Sequence, residues 1–358
     1  MRQSEPVVLA LASDERYFLG LYCAVASALS AVDPERQVDV KVLDGGLSQA
    51  SRDSLGGLIE QTGKRARVDF VTADSSIFDK ATLGPGQSHM AYCRILLPHL
   101  LGVPRLIYLD CDVLVFRDLS QLFDFELPGG KFVAAVPDSE TCSLASDSRA
   151  LANAMKFPAA DAYYNSGVIL MNLEELRKQR FFERAVEFLT VRKADYRFHD
   201  QSAINFLLHQ HIEELPEYWN RPSWCFDAQE NNNLNCVLHY TNSVPWLGGT
   251  PGPAQYLFER VAADVGLPVD CGSPRFKKAK RERFWRNAVA PLRAFIFPIV
   301  SLFYRVIREE DRSAAYQKVG HYWFEYIRNA PNRRRLYRRR NEEISRMKFD
   351  LRMSPLAS

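Results

Sequence analysis

The sequence predicts an α/β fold on a mostly parallel sheet with helices on both faces. Three features carry that expectation: short apolar runs rich in Val, Ile and Leu, amphipathic stretches between them, and the regular alternation of the two along the first third of the chain. With 358 residues, 47% of them hydrophobic and 25% charged, there is apolar surface for one large core or two smaller ones. Wholesale disorder is excluded.

The first strand is VVLALAS (7–13), whose apolar run stops at Ser13 and Asp14, too short for a secretion signal or a membrane anchor. FLGLYCAVASALSAV follows with helical periodicity. VDVKVLDGG (38–46) is the second strand before the helix SQASRDSLGGLIEQ, and RVDFVTA (67–73) the third before the helix SHMAYCRILLPHLL. Next comes LIYLDCDVLV, read as a single buried strand. Its period-two pleat points Asp110 and Asp112 to one face. Two carboxylates on a buried strand repel and lose their solvation, so such a pair belongs at a strand end with a cation or strong donors. FVAAVPD (132–138) and YYNSGVILMNL (163–173) are further strands, and Asn172 with Glu175 forms a capping box for the helix that carries LRKQRFFERAVEFL. HDQSAINFLLHQ is a helix opened by Asp200, and VLHYTNSVPW places His239 in a short strand.

Sheets of this kind bind ligands beyond the carboxyl ends of their strands, where Asp14 and the Asp110/Asp112 pair fall. The chain has neither GxGxxG after its first strand nor GxxxxGK[ST] anywhere, so phosphates need another device. Hard cations such as Mg²⁺ and Mn²⁺ take carboxylate oxygen, and Mn²⁺ also accepts imidazole. Asp110, Asp112 and His239 form such a half-shell, with room for two oxygens of a diphosphate. A bland alternative stands beside each: the aspartates as ion-pair partners of Arg94 or Arg105, His239 as a satisfied core histidine, Asp200 as a helix cap.

Composition divides the chain in two. Of 46 Lys and Arg and 43 Asp and Glu, residues 275–358 hold 22 and 8, leaving 24 and 35 for the rest. A boundary near residue 270 therefore separates an acidic body, 1–270, from a basic region, 271–358. Within 288–307, an apolar stretch of about a dozen residues interrupted by Pro298 is too short to cross a ~30 Å bilayer, but with KKAKRER before it and NRRRLYRRR after it suits an anionic membrane surface. Nucleic acid is disfavoured as a partner, because the acidic body repels a long polyanion. The seven cysteines are odd in number and scattered, which favours a reducing, cytoplasmic compartment.

YLDCDVLV, YYNSGVILMNL, HDQSAIN and HYTNSVPW, in this order over residues 7–247, resemble glycosyltransferase family 8. These are retaining galactosyl- and glucosyltransferases of GT-A fold that include bacterial lipopolysaccharide enzymes and are related to glycogenin. The resemblance implies a UDP-sugar donor, a saccharide or glycolipid acceptor, and Mn²⁺ (or Mg²⁺) held by Asp110, Asp112 and His239. It assigns Asp14 and Tyr17 to the uridine, Arg94 and Trp246 to the donor, and Asp138, Asn165, Asp200 and Gln201 to the sugar, with Gln201, Asp200 and Asp138 the catalytic group. Retention then proceeds by same-face attack with the departing phosphate as base, since Gln201 is a poor nucleophile. Two departures stand out: Ser202 where relatives often have Asp, and Val244 where many have Lys. The implied location is the cytoplasm, peripheral on the inner face of the membrane. Two rivals remain: a haloacid-dehalogenase-like phosphatase using Asp110 as nucleophile, although such motifs sit on a first strand, and a non-enzymatic membrane-binding protein.

Overall fold

The computed structural model describes residues 5–63, 65–79, 89–139, 141, 143–192, 195–228, 234–241, 244–248 and 252–288, with isolated positions beyond them. Much of the basic C-terminal region, including most of 288–307 and NRRRLYRRR, lies outside the described residues. Two compact units are present, one of residues 1–223, 233–241 and 350–358, the other of 224–232 and 242–349.

In the first unit the strands are β1 (Val7–Ser13), β2 (Val38–Asp44), β3 (Ala66–Thr72), β4 (Arg105–Leu109), β5 (Val113–Val115), β6 (Val133–Pro137), β7 (Tyr164–Asn172), β8 (Ile212–Glu214), β9 (Arg221–Pro222) and β10 (Val237–His239). Seven form one sheet in the order β3-β2-β1-β4-β7-β6-β8, and β5-β10-β9 form a second. β3, β2, β1 and β4 run parallel, while β7 lies antiparallel to both its neighbours, β4 and β6. The sheet is thus largely parallel with one reversed strand, as expected of a mostly parallel α/β fold.

Burial follows position. β1 is apolar almost throughout and β2, although it carries Asp39, Lys41 and Asp44, is buried at all but one position, whereas β3 alternates more and less exposed residues, as an edge strand does. Helix Phe18–Ala31 is buried from Gly20 to Leu29. Asn172 caps helix Leu173–Lys178 by accepting from the Glu175 amide at 3.1 Å. The reciprocal half of the expected capping box is missing, because the Asn172 amide donates to the Phe132 carbonyl and the Glu175 carboxylate pairs with Lys178.

Two expectations are corrected. LIYLDCDVLV is not one strand: β4 ends at Leu109, a turn spans Cys111 and Asp112, and β5 leaves for the second sheet, where it pairs antiparallel with β10. At the break the carboxylates are met from other parts of the fold: Arg94 and the Tyr108 hydroxyl reach Asp110, and His239 faces Asp112. The stretch from His89 is not one α-helix either. It is a 3-10 helix to Leu96 followed by a single α-turn, Leu97–Leu100. At three residues per turn Ala91 and Arg94 share a face, and the Arg94 Nε–H donates back to the Ala91 carbonyl at 3.1 Å.

In the second unit, Trp246 lies in the 3-10 turn Pro245–Leu247 and its ring packs 5.7 Å from that of Phe258. Helix Gly252–Asp264 is tied to that turn by Gln255, which donates to the Pro245 carbonyl at 2.8 Å. Helix Pro274–Ala288 follows, with Phe276 lodged against Gly248.

Candidate active site

The two sheets meet at the carboxyl end of β4. Asp110 follows β4 directly and its amide donates to the Gly167 carbonyl of β7 at 2.8 Å. Asp112 sits at the head of β5, and its carbonyl accepts from the Tyr240 amide at 2.9 Å, which sets β10 beside it. The register of β10 on β5 then pairs His239 with Val113. The result is a cluster in which ligand atoms of Asp110, Asp112 and His239 all lie within 4.8 Å of one another.

His239 Nε2 is 3.3 Å from Asp112 Oδ1 and 3.9 Å from Asp110 Oδ2. Its Nδ1 is engaged on the other side with Asn220 Oδ1 at 2.8 Å. The ring is buried, which opposes its protonation, but Asp112 and Asp110 outweigh burial and its pKa lies above the ordinary histidine value. Two carboxylates and an imidazole nitrogen turned toward them suit a hard or borderline divalent cation. The arrangement leaves little room for anything else on that side of Gly167, where an added Cβ would fall 2.2 Å from His239 Cε1 and 2.9 Å from Asp110 Oδ2.

Arg94 is the hub of the buried charge. Its Nη2 lies 2.9 Å from Asp110 Oδ1, its Nε 2.8 Å from Asp200 Oδ2, and its Nη1 donates to the Ser166 carbonyl and hydroxyl. Tyr108 stacks beneath the guanidinium at 4.7 Å and donates its hydroxyl to Asp110 Oδ1 at 2.9 Å. Burial works against the charged guanidinium, yet Asp110 and Asp200 hold its pKa above the arginine value. Burial dominates at Asp200, whose carboxyl is pushed up to about 6 despite Arg94. The guanidinium is paired with Asp110 and Asp200 and the imidazole faces Asp112, so three carboxylates gather in one place, where a divalent cation would offset their repulsion.

A cleft of about 670 Å³ opens beside this centre, lined among others by Asp14, Tyr17, Arg94, Tyr108, Asp110 and Asp112. Asp14 follows β1 and caps a 3-10 turn through the Arg16 amide. Its carboxylate is gripped by the Arg16 guanidinium at 2.8 and 3.1 Å. Arg16, exposed at the rim, escaped the sequence reading although it stands between two residues that did not. Burial, and then Asp112, raise the pKa of Tyr17, so it stays a phenol.

Asp138, Asn165 and Gln201 do not line this cleft but form a hydrogen-bonded group of their own. Asp138 Oδ2 accepts from Asn165 Nδ2 at 3.0 Å and from Gln201 Nε2 at 3.2 Å. Gln201 Oε1 accepts from the Ser166 amide at 2.9 Å and its hydroxyl at 3.2 Å. Asp200 lies in the first turn of helix His199–Leu207 but does not cap it, since the N-cap is Phe198. Its carboxylate is turned to Arg94 and is 5% exposed. Ser202 is fully buried, accepting from the Phe198 amide at 3.0 Å and sitting 3.4 Å from the Tyr163 hydroxyl, so the departure at this position is absorbed in the core. Trp246 belongs to the second unit, packed on Phe258. Asn220 was missed entirely: it stands in no periodic segment and next to no recognised motif, and only the pairing of β9 with β10 brings it to His239.

Comparison with known proteins agrees with this geometry. General stress protein A of Bacillus subtilis (strain 168) is 29% identical over 273 residues, which cover 71% of this chain and 92% of that protein. Lipopolysaccharide 1,2-glucosyltransferase of Escherichia coli (strain K12) is 31% identical over 172 residues, 44% of this chain and 49% of that protein. The crystal structure of galactosyltransferase LgtC with donor and acceptor sugar analogs superposes with a TM-score of 0.61 at 23% identity, over 76% of this chain and 100% of that one. An active-site mutant of LgtC gives a TM-score of 0.63 at 22% identity, over 72% and 96%. These likenesses establish a GT-A fold, and the phosphatase reading is not favoured. The sequence model of glycosyl transferase family 8 matches residues 8–250, so the chain belongs to that family and is a hexosyltransferase.

Proposed function

We propose that this protein is a metal-dependent, retaining transferase that moves glucose or galactose from a UDP-sugar to a saccharide or glycolipid acceptor in bacterial lipopolysaccharide or surface polysaccharide synthesis. The observation that carries it is the convergence of Asp110, Asp112 and His239 within 4.8 Å beside a cleft of about 670 Å³. The relative from Escherichia coli named for lipopolysaccharide glucosyl transfer supports the acceptor class. Mn²⁺ or Mg²⁺ held by Asp110, Asp112 and His239 would supply Lewis-acid stabilisation of the departing diphosphate.

The remaining chemistry falls to side chains. Arg94 holds Asp110 in place from one side, and Tyr108 holds the same carboxylate from below. In this reading Asp14 and Tyr17 receive the uridine at the head of the cleft, and Asp138, Asn165 and Gln201 meet the sugar. Both lone pairs of Gln201 Oε1 are occupied by the Ser166 amide and hydroxyl. That argues against its attack on the anomeric carbon and supports attack by the acceptor from the face the phosphate leaves. Residues 1–270 then act as the catalytic body and 271–358 as a region that associates with the inner face of the cytoplasmic membrane. No helix among the described residues is long and apolar enough to cross a membrane.

The test is a screen of UDP-sugars for hydrolysis without acceptor. Cleavage of UDP-glucose or UDP-galactose that EDTA abolishes and Mn²⁺ restores is expected, with the product anomer matching the donor. Inversion, or activity indifferent to EDTA, overturns the proposal.

A further inference from the structure

Asn220 is 4% exposed and carries no role in the mechanism above. It ends the 3-10 turn Glu217–Trp219 with φ −156° and ψ 69°, its amide donating back to the Glu217 carbonyl at 3.0 Å. The two residues after it form β9, whose pairing sets Pro222 opposite His239. The carboxamide is thereby delivered between two groups. Its Oδ1 is 2.8 Å from His239 Nδ1 and its Nδ2 is 2.8 Å from Asn165 Oδ1.

The direction of every hydrogen bond in this chain is fixed by its far end. The amide N–H of Gly167 can only donate, and it donates to Asn165 Oδ1 at 2.9 Å. Asn165 must then present Nδ2 to Asp138, whose carboxylate accepts it at 3.0 Å. With Asn165 Oδ1 turned toward Asn220, Asn220 must present Nδ2 there and Oδ1 to the histidine. A carbonyl oxygen accepts only, so His239 Nδ1 keeps its proton, and Nε2, facing Asp110 and Asp112, is the nitrogen that is bare in the neutral ring. An imidazole nitrogen that is to take a cation must be bare, and the partner of its other nitrogen selects which one is.

We propose that Asn220 is a positioning residue that, held by Asn165 and through it by Asp138, locks His239 as the Nδ1–H tautomer and so ties the cation-binding end of the site to the sugar-binding end. This rests on the cation reading above for its consequence, but not for the tautomer itself. Without the lock the ring samples both tautomers, and the one protonated at Nε2 points a proton at the two carboxylates. Any change at Asp138 or Asn165, including contact with a sugar hydroxyl, would then reach the cation through a rigid line of amides.

Metal-free full-length protein, labelled with ¹⁵N at histidine, provides the test, with His239 assigned by comparison with His239→Gln. A protonated Nδ1 and an unprotonated Nε2 are expected of the neutral ring, read at a pH high enough that no imidazolium remains. Asn220→Ala should mix the tautomers, and so should Asn165→Ala, which removes no cation ligand. Asn220→Asp should keep the Nδ1–H form, because its carboxylate still accepts that proton. Mn²⁺ titration followed by electron paramagnetic resonance, with no donor present, should show affinity about 10–100-fold weaker in Asn220→Ala and near wild type in Asn220→Asp. An Nε2–H tautomer in the wild type, or wild-type tautomer and affinity in both alanine variants, overturns the proposal. Should Asn220→Ala fail to fold by circular dichroism, Asn165→Ala decides. A wild type that binds no Mn²⁺ sinks the cation reading while the tautomer measurement still decides this one.

Discussion

At the scale of single residues, the site is built where side chains would otherwise be costly to bury. Gly167 is the sharpest case. Its missing side chain is the space occupied by His239 Cε1 and Asp110 Oδ2, and its carbonyl anchors the Asp110 amide at 2.8 Å. In Gly167→Ala either β7 retreats and releases Asp110, or His239 rotates away from the carboxylates. A loss of turnover of about 100-fold or more, near 2.7 kcal/mol, is expected together with weaker Mn²⁺ binding. Parallel kinetics and metal titration check it, and a fully active variant with unchanged affinity would show that the close approach does not matter. Asp200 gives a prediction in pH. Its carboxyl is raised from 3.8 to about 6 by burial, so the folded state takes up a proton before the unfolded state does as pH falls. The contribution of this group is therefore largest below pH ~4 and is lost as pH rises through about 6, an effect of up to about 3 kcal/mol. Thermal melts in EDTA between pH 4 and 8 should show Asp200→Asn lacking that decline. Identical pH slopes for the two proteins would mean that Asp200 stays charged throughout.

Elements show what can be read from a linear chain and what cannot. β1 and β7 were legible because their apolar runs are long and their flanks polar, β2 because Val38, Val40 and Val42 alternate with charged residues, and Asn172 was legible as a cap because its residue type and spacing state the chemistry. Asn172→Ala removes one acceptor from the first turn of helix Leu173–Lys178, which should cost about 0.5–2 kcal/mol and leave Mn²⁺ affinity untouched, as denaturant melts and metal titration can verify. The break after Leu109 was not legible, because periodicity cannot distinguish one buried strand from two collinear runs that join different sheets. The carboxylates within it were the clue, since a continuous buried strand could not have solvated them. β9 has two residues and no periodic signal, yet its pairing with β10 places Asn220 beside His239. Asp110, Asp112 and His239 were visible as residue types, then, while the groups that orient them depended on long-range strand pairing. Arg94 lies between: its charge in an apolar helix-like run was conspicuous, but its double grip on Asp110 and Asp200 required the 3-10 turn.

For the whole molecule, the division of charge is the main feature left to explain. The acidic body carries more Asp and Glu than Lys and Arg, whereas the basic region carries far more Lys and Arg than its own Asp and Glu can pair. On helix Pro274–Ala288, Arg275, Lys277, Lys278, Lys280 and Arg281 are all exposed, and the one ion pair among these described side chains joins Lys278 to Glu282 at 3.9 Å. Phe276 is the exception, buried against Gly248, and it fixes which way the helix turns its cations. Farther on, Ile296, Ile299 and Leu302 are 42%, 59% and 59% exposed, large apolar side chains offered to solvent at helical spacing. Exposed cations followed by exposed apolar groups match an anionic bilayer surface, where each Lys or Arg contributes up to about 1 kcal/mol and inserted apolar side chains add a second, salt-insensitive contribution. The full-length protein should therefore pellet with vesicles of phosphatidylglycerol and phosphatidylethanolamine, and less so in 0.5 M NaCl, where the screening length falls to roughly 4 Å. Reversing Lys277, Lys278 and Lys280 to Glu should abolish most of the salt-sensitive binding while UDP-sugar hydrolysis in solution continues at the wild-type rate, because those side chains are exposed and none of them is assigned to catalysis. Replacing Ile299 and Leu302 by Ser should instead remove the part that survives high salt. Equal partitioning of all three proteins, or capture by neutral phosphatidylcholine vesicles as strong as by anionic ones, would show that this surface has another purpose.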